Sequence, residues 1–140
     1  MKTSKDPRHQ ARRLVAGYIY AHENSNIGSN LDQDDLLLSL IENLEIKNYD
    51  AALFNDLSQG VLNQSTELRE LIKANSKEWD LDKMYKMDIS ILLVAVYELL
   101  SKKAPTKVII DEAVELAKEF GEGESARFIN GVLAGVAKSL

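Results

Sequence analysis

The chain has 140 residues, the size of one ordinary domain, and no cysteine, which excludes disulfides, thiolate metal sites and a cysteine nucleophile. No apolar run approaches the roughly 20 residues of a membrane span, and the charged start, Met1 to Pro7, does not read as a secretory signal. Net charge is −5, which argues against a general nucleic-acid binder; yet Lys2, Lys5, Arg8, Arg12 and Arg13 face only Asp6 in residues 1–13, a local +4 that leaves −9 on the remainder. A basic end on an acidic body can focus a polyanion onto one place, although short basic clusters also occur as plain solvated helix faces.

Helical periodicity runs through the chain, and proline occurs only at positions 7 and 105. Asp6-Pro7 predicts a helix start, because Asp caps free amides and Pro fits the first turn. Ala11, Leu14, Val15, Tyr18 and Ile19 then fall on one stripe. Arg8, Arg12 and Tyr20 lie off the centre of that stripe, and Arg8 and Arg12, four apart, are expected together on one exposed strip. The segment from Asn24 to Asn30 has loop composition. A second helix is predicted from Asp32 or Asp34 to Leu44, with Leu37, Leu40, Ile41 and Leu44 inward. A third begins near Tyr49-Asp50, carries Leu53, Phe54, Leu57, Val61, Leu68, Leu71 and Ile72, is interrupted near Gly60, and ends before Trp79.

A fourth helix is predicted from Leu81 or Asp82 to Lys102, burying Ile89, Leu92, Leu93, Val96 and Leu100. Pro105 and Gly121 bracket a fifth, with Val108, Ile109, Ala113, Leu116, Ala117 and Phe120 inward. Ser125 caps a sixth that presents Phe128, Ile129, Val132, Leu133 and Val136. The β-branched run Lys107 to Ile110 belongs to the fifth helix, since the helical pattern continues through Phe120. No repeat, linker or strand is expected.

Chemistry-bearing constellations are sparse. His9 and His22 lie about 140° apart around one helix and cannot share a metal; both read as exposed helix histidines, and His9, beside the arginines, could also touch phosphate. Asp32, Asp34 and Asp35 precede an apolar run, where they cap a helix and meet its positive end. Glu115 and Glu119 form a solvated face. Gly121-Glu122-Gly123 lacks phosphate-loop spacing, and no serine has nucleophile-elbow context. No metal, cofactor or enzymatic activity is expected.

Three stretches go beyond amphipathic patterning. Arg8-His-Gln-Ala11-Arg12-Arg13-Leu14-Val-Ala16-Gly-Tyr18-Ile19-Tyr20 resembles the opening RxxARxxAxxxLY pattern of the NusB family of bacterial transcription antitermination factors. Phe54-Asn-Asp-Leu57-Ser-Gln-Gly60-Val61 is similar to its FxxLxxGV segment. The third runs from Ala95-Val-Tyr97-Glu98-Leu99 through Pro105-Thr-Lys107 and Asp111-Glu112-Ala113 to Phe128-Ile-Asn130-Gly131-Val132-Leu133, and it follows the family's blocks in order. The resemblance spans Lys5 to Val136. Gly60 and Gly131 are expected to allow close helix approach. Asn130 is expected as a buried hydrogen-bonding tie, and the pairs Tyr97-Glu98 and Asp111-Glu112 as interhelical hydrogen bonds.

The resemblance implies one NusB-like RNA-binding domain over residues 1–140, all-α, a compact bundle of six to seven helices in two packed subdomains. It implies a cytoplasmic antitermination factor that binds boxA-type leader RNA with the ribosomal small-subunit protein NusE. Within the RNA polymerase antitermination complex the pair promotes transcription of ribosomal RNA operons. Carried over position by position, Arg8 and Arg12 bind RNA, with Lys5 and Arg13 as helpers; Tyr20 and Asp88 face the NusE partner. The family also includes dimers that bury the RNA face, which leaves a homodimer open. Leu93 stands where an arginine is usual, so a basic RNA or partner contact is expected to be missing. Asp111, Arg127 and Ala134 replace the usual Asn, Lys and Asp. The alternative is a NusB-like protein-interaction module with weak or no RNA binding; modules of this kind also precede ribosomal-RNA cytosine methyltransferases, although no catalytic domain is expected after Leu140.

Overall fold

The computed structural model describes residues 6–24, 32–77 and 84–140, and among these it forms six helices and no strand. Helix α1, Pro7–Glu23, starts where the sequence places it: the Asp6 carboxylate accepts from the Arg8 backbone amide at 3.0 Å, and Pro7 occupies the first turn. It buries Ala11, Leu14, Val15, Ala16 and Ile19 completely. Helix α2, Gln33–Asn43, is capped by Asp32 and carries Asp34 and Asp35 in its first turn, as acidic residues there should. Only Leu36 is buried on α2; Leu37, Leu40, Ile41 and Leu44 are half-buried, because α2 packs chiefly on α1. Glu45 then turns the chain in a left-handed conformation, φ 55°, and the Ile46 amide bonds back to the Ile41 carbonyl at 3.0 Å. A non-glycine residue held there costs about 1–2 kcal/mol.

Helix α3, Ala51–Ala74, passes through Gly60 without the expected break; helical geometry is lost instead at Gln64 (φ −117°, ψ 18°). Gly60 serves close packing, as expected: a Cβ there would lie 2.1 Å from Cζ of Tyr97, which crosses from α4. Helix α4, Lys86–Ser101, is the central element. The expected start at Leu81 or Asp82 lies outside the described residues. Residues 90–96 are buried without interruption, so a single inward stripe understates this helix, which contacts α1, α3 and the two helices that follow. Lys102 ends it with φ 56°.

Helices α5, Thr106–Phe120, and α6, Ser125–Ser139, pair against each other and α4. Helix α4 also packs closely on α3 and α1, and the six helices share one continuous core. Val108 departs from expectation and is 38% exposed, while Ile109 takes the buried place. Asn130 and Gly131 also depart. Asn130 is exposed and Gly131 has open space where a side chain would go, since both fall on the solvent side of the Ile129–Val132–Leu133 stripe. The close approach on α6 is made by Gly135, where an added Cβ would meet Asn75 Oδ1 at 2.8 Å.

Leu93 has no exposed surface and belongs to the core. In this chain, position 93 packs the bundle; its leucine is not a gap in a charged surface.

Candidate functional site

The basic half of α1 does not present its arginines together. Arg8 is exposed, on the rim of a groove shared with Asp50, Leu53, Asp56 and Lys103. Arg12, expected on the same exposed strip, is only 5% exposed. Four residues advance the helix face by about 40°, enough to carry Arg12 under α4 and α5. There its Nε and Nη2 each donate at 2.9 Å to the two oxygens of Glu98, and Nη1 donates to Glu112 Oε1 at 2.9 Å. Both acids are buried on facing helices, so a cation must lie between them. Burial works against the guanidinium's charge, but the hydrogen bonds and charges of Glu98 and Glu112 outweigh it and hold its pKa above the ordinary value.

His9 extends this cluster, correcting its reading as an exposed helix histidine. Its Nδ1 lies 2.8 Å from Glu112 Oε2, with the side chain 13% exposed. An ionised carboxylate can only accept, so Nδ1 carries the proton. Arg13 is also committed: Nε and Nη2 bond Glu119, Nη1 bonds Gln10 Oε1 at 2.7 Å and the Leu44 carbonyl at 3.1 Å, and the guanidinium lies 5.9 Å from the Phe120 ring centre. Lys5 lies outside the described residues. The structure therefore brings Arg12, His9, Glu98 and Glu112 into one buried network and leaves Arg8 on the surface.

The two residues expected at the partner face separate in the same way. Tyr20 is half-buried and lines a groove of about 530 Å³ with Met84, Tyr85, Lys86, Met87 and Phe120. Asp88, expected to face a partner, is 3% exposed. It sits in the first turn of α4, tucked beneath the α5–α6 turn, where Ser125 Oγ donates to its Oδ2 at 2.7 Å and accepts from the Glu122 amide at 2.9 Å. Among the described residues its Oδ1 is buried without a hydrogen-bond partner. Burial pushes the Asp88 carboxyl above its ordinary pKa, and the Ser125 hydrogen bond only partly opposes this. Asp88 therefore fixes the turn that carries Glu122, whose Oε1 lies 3.0 Å from the Tyr85 hydroxyl. Beside it, Lys86 is exposed.

The expected interhelical bonds are partly present. Tyr97 donates to Asp56 of α3 at 2.9 Å, and Lys103 reaches the other oxygen of Asp56 at 3.0 Å. Glu98 and Glu112 tie to α1, whereas among the described residues Asp111 pairs with Lys107 on its own helix. Two features have no counterpart in the sequence reading. One is the aromatic and thioether wall of the Tyr20 groove. The other is a second groove where the α2–α3 connection, through Lys47 and Asn48, faces His9 and Arg13. Lys47 and Asn48 carry no periodic signal; only their polar character in a connection hinted at exposure. Among the described residues no helix is long and apolar enough to cross a membrane.

A model described as the NusB family matches residues 9–138. The transcription antitermination protein NusB of a Nitratiruptor species is 35% identical over 133 residues, covering 95% of this chain and 93% of that protein. The protein of the same name from Sulfurimonas denitrificans is also 35% identical over 133 residues, covering 94% of this chain and 96% of its own. Among solved structures, T. maritima NusB superimposes with a TM-score of 0.75 at 31% identity, covering 99% of this chain and 93% of its own. A structure of antitermination factors NusB and NusE in complex with dsRNA gives 0.73 at 22% identity, covering 94% and 96%, a likeness of fold.

Proposed function

The chain belongs to the NusB family, and on that premise we propose that it is a transcription antitermination protein that binds boxA-type leader RNA together with NusE. The pair acts within the RNA polymerase antitermination complex and promotes transcription of ribosomal RNA operons. The observation that carries this reading is the similarity to antitermination proteins over almost the whole length of both partners. Residues 1–140 act as one NusB-like domain in the cytoplasm. The protein works by binding, with no chemical step of its own.

On this reading Arg8 and Lys5 hold RNA phosphates, Arg8 being exposed and arginine offering a planar, permanently charged fork. Arg13 borders the RNA surface with its donors turned inward. Arg12 serves from below: the bonds to Glu98 and Glu112 lock α1 against α4 and α5, so the exposed residues of α1 keep their register. NusE covers the groove around Tyr20, and Asp88 shapes that groove through Ser125 and Glu122.

A mobility shift of single-stranded boxA-type RNA, with the chain alone, NusE alone and both, tests the proposal. The pair is expected to shift the RNA at concentrations where neither component does. A second reading, a protein-interaction module with weak or no RNA binding, is favoured by one observation: Arg12 and Arg13 are committed to carboxylates. NusE binding without any RNA shift would select it.

A further inference from the structure

A groove of about 870 Å³ runs between the first turns of α1, the α2–α3 connection and the end of α5. Its size falls in the range of roughly 300–1,000 Å³ typical of small-ligand sites. Its walls are His9, Gln10, Arg13, Leu44 and Glu119 on one side and Glu45, Lys47 and Asn48 on the other.

The hydrogen-bonding capacity left in this groove is specific. His9 Nδ1 is spent on Glu112, so the opposite ring atom, Nε2, is left to the groove as an acceptor when the ring is neutral. Among the described residues Nε2 takes no hydrogen bond. Arg13 and Glu119 neutralise each other. The exposed side chains that remain are a cation, Lys47, an amide, Asn48, and a carboxylate, Glu45, held out by its left-handed backbone. A bare phosphate would meet Glu45 and the lone pair of Nε2 as well as Lys47. A nucleobase edge, which offers donors and acceptors side by side, matches the set. Sequence-specific recognition of RNA proceeds in this manner, by splaying out single-stranded bases and bonding their edges.

We infer that this groove is a nucleotide pocket: it admits one unstacked base of a single-stranded RNA, whose N–H donors meet His9 Nε2 and Glu45 and whose acceptors meet Lys47 and Asn48. Arg8, one residue before His9, is exposed on the rim of the neighbouring groove with Asp50, Asp56 and Lys103, and would hold a phosphate outside the pocket. The inference rests on the RNA-binding function proposed above and adds to it the residues that read sequence.

An abasic scan tests it. Single-stranded boxA-type RNA, with each nucleotide in turn made abasic, is titrated with the full chain in complex with NusE. The same titrations are made with Asn48→Ala, which alters an exposed side chain, and with His9→Ala. One abasic position should cost the wild type about tenfold in affinity, the worth of one or two net hydrogen bonds, and that cost should shrink in both variants while the cost at other positions persists. If His9→Ala loses its fold because Glu112 loses one of its partners, Asn48→Ala alone decides. An abasic profile unchanged in the variants overturns the pocket while leaving RNA binding intact. No binding by the wild-type complex overturns the proposed function and the pocket together.

Discussion

Arg12 grips Glu98 with two parallel hydrogen bonds, Nε to Oε2 and Nη2 to Oε1, both 2.9 Å. A fork of this kind is the strongest pairing arginine makes with a carboxylate. Here it joins the first helix to the last turn of α4 with both partners buried.

Removing Arg12 should therefore damage the fold. Arg12→Ala strands Glu98 and Glu112 without their cation, and breaking one side of a buried pair costs about 3–5 kcal/mol. Urea denaturation followed by circular dichroism should show a midpoint far below that of the wild type. A variant as stable as the wild type would show that the network carries little net energy.

Arg8→Ala should behave oppositely. An exposed residue without an ion pair changes stability by no more than about 0.5 kcal/mol. RNA affinity of the complex with NusE should nevertheless fall, and the slope of log affinity against log salt should flatten by about 0.7 for one lost phosphate contact on a single strand. Lys102→Ala, a basic residue outside the first helix, is the control. Equal losses from both variants would mean attraction to positive charge in general.

These contrasting expectations for two arginines four residues apart mark where sequence reading succeeds and where it stops. The apolar stripes of α1 and α6 and the caps at Asp6 and Asp32 are local features, and local spacing foretells them. Tertiary partners are not local. Arg12 and Arg8 look alike in sequence, and only the arrival of Glu98 and Glu112, 86 and 100 residues further on, separates them. Asp88 is the same case: the resemblance sets it at a partner face, and Ser125 from another helix removes it from water. The grooves at His9 and at Tyr20 are each assembled from at least three segments, so no window of sequence contains them.

The glycines of α3 and α6 make a paired test of packing. Gly60→Ala places a methyl group inside the Tyr97 ring, and such overpacking costs about 1–3 kcal/mol, more than the helix propensity gained. Gly131→Ala meets nothing within 4 Å. It should stabilise the protein by about 0.5–1 kcal/mol through a better helix former and a less free unfolded chain. Thermal melts of the two variants should move in opposite directions. A destabilised Gly131→Ala would contradict the open space seen at that position.

Asp88 supplies a pH dependence whose sign is fixed by its surroundings. Burial raises its folded-state pKa above the ordinary 3.8, with Ser125 opposing only in part. Above the unfolded value the folded chain thus holds this proton more tightly than the unfolded chain does. The stabilisation linked to it is complete below the unfolded pKa and is lost as pH rises through the folded one. Once ionised, the carboxylate is a buried charge whose Oδ1 has no hydrogen-bond partner among the described residues. Asp88→Asn keeps an acceptor for Ser125 and removes the charge, so the variant should be as stable as the wild type, or more so, at neutral pH. On acidification through the window above 3.8 the wild type should gain on the variant. The measurement is the difference in unfolding free energy between the two proteins, taken at several pH values from neutral to mildly acidic. A difference that stays flat, or that favours the wild type most at neutral pH, would show that Asp88 is better solvated or better paired than its position beneath the α5–α6 turn implies.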